Sequence, residues 1–96
     1  MALTGKQKRK LRALGHHLEP VVMVGQQGVT DAVIAATAQA LWDHELIKVK
    51  IAEGPEERKE AADHLATAAE AELAQLLGRT ALLFKARPED SKFDKL

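Results

Sequence analysis

Leu11, Leu14 and Leu18 recur at i, i+3 and i+7, and Thr4 followed by Gln7 has capping-box spacing. The pattern predicts a first helix from about Gly5 to His16. Its apolar stripe should face a core while Lys6, Lys10 and other basic residues occupy the remaining surface, with Gly15 as a stop signal. Pro20 then begins an extended segment. Val21 to Val24 is a continuous, β-branched apolar run between Pro20 and Gly25, which reads as a first strand covered on both faces. Gly25-Gln26-Gln27-Gly28 follows as a tight loop, and Thr30 is an N-cap candidate with Asp31 placed to favour the helix dipole. The second helix carries a stripe of Val33, Ile34, Thr37, Ala38, Leu41 and Trp42 and should expire near His44.

Between Leu46 and Ile51 the chain alternates, with Ile47, Val49 and Ile51 on one face and Leu46, Lys48 and Lys50 on the other. That second strand displays two lysines together. Gly54-Pro55 breaks the chain, and Glu56 opens an alanine-rich stretch in which Ala62, Leu65, Ala66, Ala69, Leu73, Leu76 and Leu77 keep helical period. The pattern is ambiguous here. A third helix running to Leu77 fits, and so does a strand over Leu73 to Leu77 turning back through Gly78-Arg79 as a two-residue hairpin loop. Thr80 to Lys85 reads as a strand, and the residues from Ala86 onward as a mobile tail. Alternating strands and helices closed by an antiparallel strand predict an α/β fold with a mixed sheet.

Ninety-six residues, 46% hydrophobic and 29% charged, suit one domain with little room for a bulky cofactor. We place that domain at residues 1–87 and the tail at 88–96. The chain has no cysteine, which removes disulfides, thiolate catalysis and cysteine-based metal centres. No apolar run reaches the length of a signal-peptide core or a membrane span, so a cytoplasmic protein without membrane contact is expected. Charge balances at 14 basic against 14 acidic residues, but its distribution is uneven. Lys6, Lys8, Arg9, Lys10 and Arg12 precede any acid, whereas Glu53, Glu56, Glu57, Glu60, Asp63, Glu70 and Glu72 crowd the third-helix region. Such asymmetry lets a neutral protein present a positive face to a polyanion.

Most candidate chemistry fails on spacing. His16 and His17 point about 100° apart on a helix and cannot easily chelate one metal, and Glu60 with His64 forms an ordinary solvated i, i+4 pair. Ser91 is the only serine and lies in the expected tail, so no serine nucleophile is rigidly held. An enzymatic reading reduces to a hydrolase built from Asp43, His44 and Glu45. The strand to Gly-x-x-Gly to helix passage has a clearer physical use, because glycine-rich turns bring backbone amides to an anion beside unpaired helix N–H groups. It lacks the third glycine of a dinucleotide fingerprint and the Gly-Lys-Ser/Thr of a nucleotide P-loop. Clamping a nucleic-acid backbone, as KH domains do, remains, and so does a plain tight turn, which the same tetrapeptide often forms. With Trp42 assigned to the core, no aromatic stacking platform is expected.

Leu18-Glu19-Pro20-Val21-Val22-Met23-Val24-Gly25-Gln26-Gln27-Gly28-Val29-Thr30, followed by His44-Glu45-Leu46-Ile47-Lys48-Val49-Lys50, closely resembles the YhbY family, the bacterial single-domain form of the CRM (chloroplast RNA splicing and ribosome maturation) module. The resemblance extends from the basic first helix through Gly78-Arg79-Thr80 and Leu82-Leu83-Phe84-Lys85, leaving out the acidic helix and the tail. It implies an α-β-α-β-α-β-β fold with a four-stranded mixed sheet, similar to the C-terminal domain of bacterial translation initiation factor three. It also implies association with structured ribosomal RNA in precursors of the large ribosomal subunit; related domains in plant organelles act in intron splicing. The family's loop maps onto Gly25, Gln26, Gln27 and Gly28, and its basic surface onto Lys6, Lys8, Arg9, Lys10, Arg12, Lys48 and Lys50. Two departures stand out. Gln26 and Gln27 are neutral where relatives often carry a basic residue, and Ala71 to Leu77 favours helix where relatives have a β-branched strand. Following the family, the segment is taken as strand. The chain is thus expected to bind RNA without cofactor, metal, small-molecule substrate or catalysis. The competing expectation is a protein adaptor whose acidic third helix engages a basic ribosomal protein.

Overall fold

The structure, a computed structural model, describes residues 3–93 and 96. Thr4 closes a full capping box: Gln7 N donates to its Oγ1 at 3.1 Å, and its own N donates to Gln7 Oε1 at 2.9 Å. This starts α1 (Gly5–Gly15), followed by β1 (Pro20–Val24), α2 (Asp31–His44), β2 (Leu46–Ile51), α3 (Pro55–Ala68), β3 (Glu72–Leu77) and β4 (Thr80–Phe84). The strands form one four-stranded sheet in the order β1-β2-β4-β3, with β1 parallel to β2 and β4 antiparallel to both of its neighbours. The α-β-α-β-α-β-β order and the mixed sheet are those the family resemblance implied.

The ambiguous stretch resolves into a strand for an identifiable reason. Glu70 adopts φ 55°, its N–H donates to Thr67 O at 3.1 Å, and Ala71 N donates to Ala66 O at 2.7 Å. This pair of bonds is a Schellman stop, and it ends α3 without the glycine that usually marks one. The chain released at Glu72 pairs with β4, matching Leu73 to Leu83 and Gln75 to Leu82. Gly78, at φ 57°, takes the first central position of the two-residue hairpin turn, where a positive φ favours glycine.

The sheet is covered unequally. On one face α2 and the alanine-rich α3 pack Leu41, Ala62, Leu65 and Ala66 over Val24, Ile47, Val49, Ile51 and Leu83. On the other, α1 lies across the β2, β4 and β3 strands, burying Leu11 among Leu46, Ala74, Leu82 and Phe84, with Leu3, Phe93 and Leu96 packed at the margin. Fully burying one such leucine contributes about 1.5–3 kcal/mol. α1 ends at Gly15 as expected, and Gly15 is also buried: a Cβ there would meet Leu82 Cδ1 at 2.7 Å. Its missing side chain lets helix and sheet approach.

Three expectations about burial need correction. β1 is an edge strand covered by α2 on one face only, because α1 sits over the other strands; Val21 and Met23 are therefore 54% and 58% exposed. Trp42 is 59% exposed, since its neighbour Leu41 takes the inward position about 100° around the helix. Leu14 is 48% exposed and Leu18 lies beyond the end of α1, leaving Leu11 as the stripe's one buried leucine. The segment expected as a tail folds back: Phe93 packs edge-on against Phe84 at 5.2 Å, and Ser91 Oγ, Lys92 N and Arg87 N donate to the Glu45 carboxylate. Asp94 and Lys95 lie outside the described residues.

Candidate nucleic-acid interface

β1 ends at Val24 and hands the chain to the loop at the sheet end where Val24 faces Ile51, Lys50 faces Thr80, and Leu77 faces Thr80. Gly28 N donates to Gly25 O at 3.0 Å, closing a four-residue turn with Gln26 and Gln27 exposed at its centre. Thr30 N then donates to Gly28 O at 3.1 Å, and Thr30 Oγ1 accepts from Val33 N at 3.2 Å to start α2. The turn therefore leads directly into a helix N-terminus. The two glycines do different things. Gly28 has φ 76°, a conformation costly for other residues, and its missing Cβ would lie 3.3 Å from Glu53 Oε1. Gly25 has no positive φ and nothing within 4 Å of its absent Cβ, so the turn's backbone angles require glycine only at Gly28. Gly28→Ala should lower stability by about 1–2 kcal/mol, whereas Gly25→Ala should leave the thermal unfolding midpoint unchanged and weaken only a ligand that touches the loop. Thermal unfolding and RNA titration of both variants check this pair.

The basic residues divide into groups. With Leu11 and Gly15 inward, helical geometry places Lys8 and Arg12 on one flank of α1, Lys10 on the other, and Lys6 and Arg9 toward the back. Arg12 Nε donates to Ala74 O at 3.4 Å, and Lys48 Nζ donates to His16 O at 3.3 Å, where a cation favours the C-terminal end of α1. Lys48 and Lys50 share the α1 side of the sheet, and Lys50 stands exposed beside Met23. Arg12, Lys48, Lys50 and the Gly25–Gly28 turn thus share the half of this face that α1 leaves open. Lys6 lies about 9 Å farther along the helix axis than Arg12. Glu56, Glu57, Glu60 and Asp63 are exposed on α3, across the sheet. Glu53, beside Gly28, is the acid that intrudes on the loop.

Two residues of this surface escaped the sequence reading. Arg79 is exposed in the hairpin turn at the loop end of the sheet, where its carbonyl accepts from Ile51 N at 2.7 Å, and Met23 is exposed beside Lys50. The position of Arg79 follows from the hairpin once strand order is known; that of Met23 requires knowing that β1 is an edge.

Asp43, His44 and Glu45 do not converge. Asp43 Oδ1 accepts from Gln39 Nε2 at 3.1 Å, His44 is exposed against Leu14, Leu18, Val21 and Phe93, and Glu45 is wholly buried with φ 65°. Burial alone would raise the Glu45 carboxyl above its usual 4.5, but hydrogen bonds from Ser91, Lys92 N and Arg87 N, with the Arg87 charge, outweigh it and hold it lower. This carboxylate fastens the C-terminal segment. Among the described residues, no three His, Asp or Glu side chains gather as a metal would require, and no helix is long and apolar enough to cross a membrane.

A family model described as CRS1 / YhbY (CRM) domain matches residues 3–85. The chain is 41% identical over 93 residues to Probable RNA-binding protein PA4753 of Pseudomonas aeruginosa, covering 96% of this chain and 89% of that protein. It is 42% identical over 93 residues to Probable RNA-binding protein YqeI of Bacillus subtilis, covering 96% and 97%. In three dimensions it is similar to the solution structure of the hypothetical protein SAV1595 from Staphylococcus aureus, with TM-score 0.83, 34% identity, and 93% of this chain and 94% of that one covered.

Proposed function

Because the chain belongs to the CRS1 / YhbY (CRM) domain family, we propose that it binds structured ribosomal RNA in precursors of the large ribosomal subunit and assists their assembly without catalysis. The observation that carries the RNA reading is the shared location of the Gly25–Gly28 turn, Arg12, Lys48 and Lys50, with the acidic cluster Glu56, Glu57, Glu60 and Asp63 on α3 across the sheet. RNA backbone amounts to closely spaced anions, and a positive face meets it best when acid lies elsewhere. Gly25, with open space around it, lets phosphate approach the loop amides, while Gln26 and Gln27 donate hydrogen bonds. Lys6, Lys8, Arg9, Lys10 and Arg12 extend the contact along α1 as positioning charges. The names of the relatives from P. aeruginosa and B. subtilis support RNA as the partner, and the YhbY resemblance supports the ribosomal precursor.

Crosslinking followed by RNA sequencing tests the reading, which requires large-subunit RNA among the recovered fragments. The charge component has its own measurement. Changing Lys6, Lys10 and Arg12 to Gln should lower affinity for all RNA sequences alike and reduce the slope of log affinity against log salt by about two to three, since each lost phosphate contact removes about 0.7–0.9. Unchanged affinity and slope would mean that α1 is only a solvated helix face. Binding to a purified basic ribosomal protein that survives ribonuclease would favour the acidic α3 surface as an adaptor site instead.

A further inference from the structure

Beside the C-terminal half of α1, the uncovered sheet forms a cleft of about 400 Å³ lined chiefly by Arg12, His16, Lys48, Gln75, Thr80 and Leu82. Among the described residues, no acidic side chain lines it. Its cations are held by backbone: Arg12 Nε donates to Ala74 O and Lys48 Nζ to His16 O. Both contacts aim positive charge at the rim. Leu82 lies covered beneath the close approach of Gly15, and the apolar floor open to a ligand is the side chain of Leu77, 69% exposed. Gln75 lies directly across from Leu82, and Thr80 directly across from Lys50. Neither the Gln75 amide nor the Thr80 hydroxyl bonds another protein group among the described residues.

Resting on the RNA-binding reading above, we infer that this cleft receives one unpaired nucleotide of the bound RNA, with its phosphate at Arg12 and Lys48, its base face on Leu77 and its base edge at Gln75 and Thr80. The volume is near the lower end of the roughly 300–1,000 Å³ typical of small-ligand sites, a size for one nucleotide rather than a duplex. Paired RNA does not offer its bases: the A-form major groove is too narrow for side chains, so base edges are read where a nucleotide is splayed out. A cationic rim over an apolar floor selects a ligand with an anion at one end and a flat apolar face at the other. An amide and a hydroxyl without protein partners supply donors and acceptors for a base edge. The cleft therefore adds a preference for locally unpaired RNA to backbone contacts that carry no sequence information.

The test is fluorescence anisotropy of the full chain at fixed salt with two RNA hairpins, one fully paired and one carrying a single unpaired nucleotide in its stem, each of the four bases in turn. The bulged hairpin should bind about tenfold more tightly. Thr80→Phe fills the cleft and should erase that advantage while leaving affinity for the paired hairpin unchanged. Gln75→Ala keeps the cleft open and should retain the advantage while flattening the ranking among the four bases. Thermal unfolding verifies that both variants fold, and Gln75→Ala, an exchange on a half-buried strand position, keeps the test decisive if Thr80→Phe does not. Equal binding of bulged and paired hairpins by the unaltered protein overturns the cleft while RNA docking stands, as does an advantage and base ranking unaffected by the substitutions. Binding of neither hairpin overturns the RNA-docking reading itself.

Discussion

Replacing Gln26 and Gln27 together by Asp is expected to lower RNA affinity about a hundredfold or more while leaving the unfolding midpoint unchanged. Both side chains are exposed at the centre of the Gly25–Gly28 turn and make no protein hydrogen bond among the described residues, so the fold does not depend on them. Against RNA phosphates the new carboxylates replace donors with anions. Two unit charges about 4 Å apart repel by about 1 kcal/mol in water and about 4 kcal/mol at the effective dielectric near a protein surface. Two such contacts at intermediate screening approach the roughly 2.8 kcal/mol that corresponds to a hundredfold. Glu53 is already beside Gly28, so the variant would place three carboxylates around one turn. Filter binding at low salt measures the loss; retained affinity would remove the turn from the interface.

The second large effect is on stability. Glu45→Ala should cost about 3 kcal/mol and lower the unfolding midpoint by roughly 12–24 °C for a domain of this size. The carboxylate is completely buried and accepts from Ser91 Oγ, from Lys92 N at 2.8 Å and from Arg87 N at 2.8 Å, with Arg87 Nη2 3.4 Å from its Oε1. Removing it strands three donors and a largely buried guanidinium at once, and hydrogen bonds to charged groups are worth about 1.5–3 kcal/mol each. Because the folded carboxyl is held below 4.5, its contribution is full above that pH and is lost as pH falls through the folded value. Urea unfolding at about pH 7 and about pH 3 should therefore show a smaller acid-induced loss for Glu45→Ala than for the unaltered chain. An equal loss in both would separate Glu45 from the acid sensitivity of the fold.

Glu45 also marks a limit of sequence reading. Its position after α2 and within Asp43-His44-Glu45 does not mark it for burial, because nothing local reveals that residues about 45 positions away will return to cover it. Local signals were enough wherever the structure is local: Thr4 with Gln7, Thr30 with Asp31, Pro55 at the start of α3, and the alternation of Ile47, Val49 and Ile51. They were insufficient where strand order decides burial. Val21 and Met23 read as core because an apolar run does not say whether its strand is central or at an edge. Leu73 to Leu77 keeps helical period, and pairing with Thr80 to Phe84 overrides that propensity once Glu70 adopts the left-handed turn. For the candidate interface, composition and the glycine spacing indicated a loop and a basic helix. The cleft beneath Arg12 was hidden, because it joins α1 to strands encoded more than sixty residues later.

Leu11 finds its partners last. Among them, Ala74, Leu82 and Phe84 are supplied by the C-terminal hairpin, and translation at about 5–20 residues per second puts Phe84 roughly 4–15 s behind Leu11. An isolated helix as short as the 11 residues of α1 is marginal in water even with a good cap. The cationic α1 segment is thus synthesised before the surface that later orients its charges. The basic face acquires its fixed orientation only when the β3–β4 hairpin closes beneath the helix.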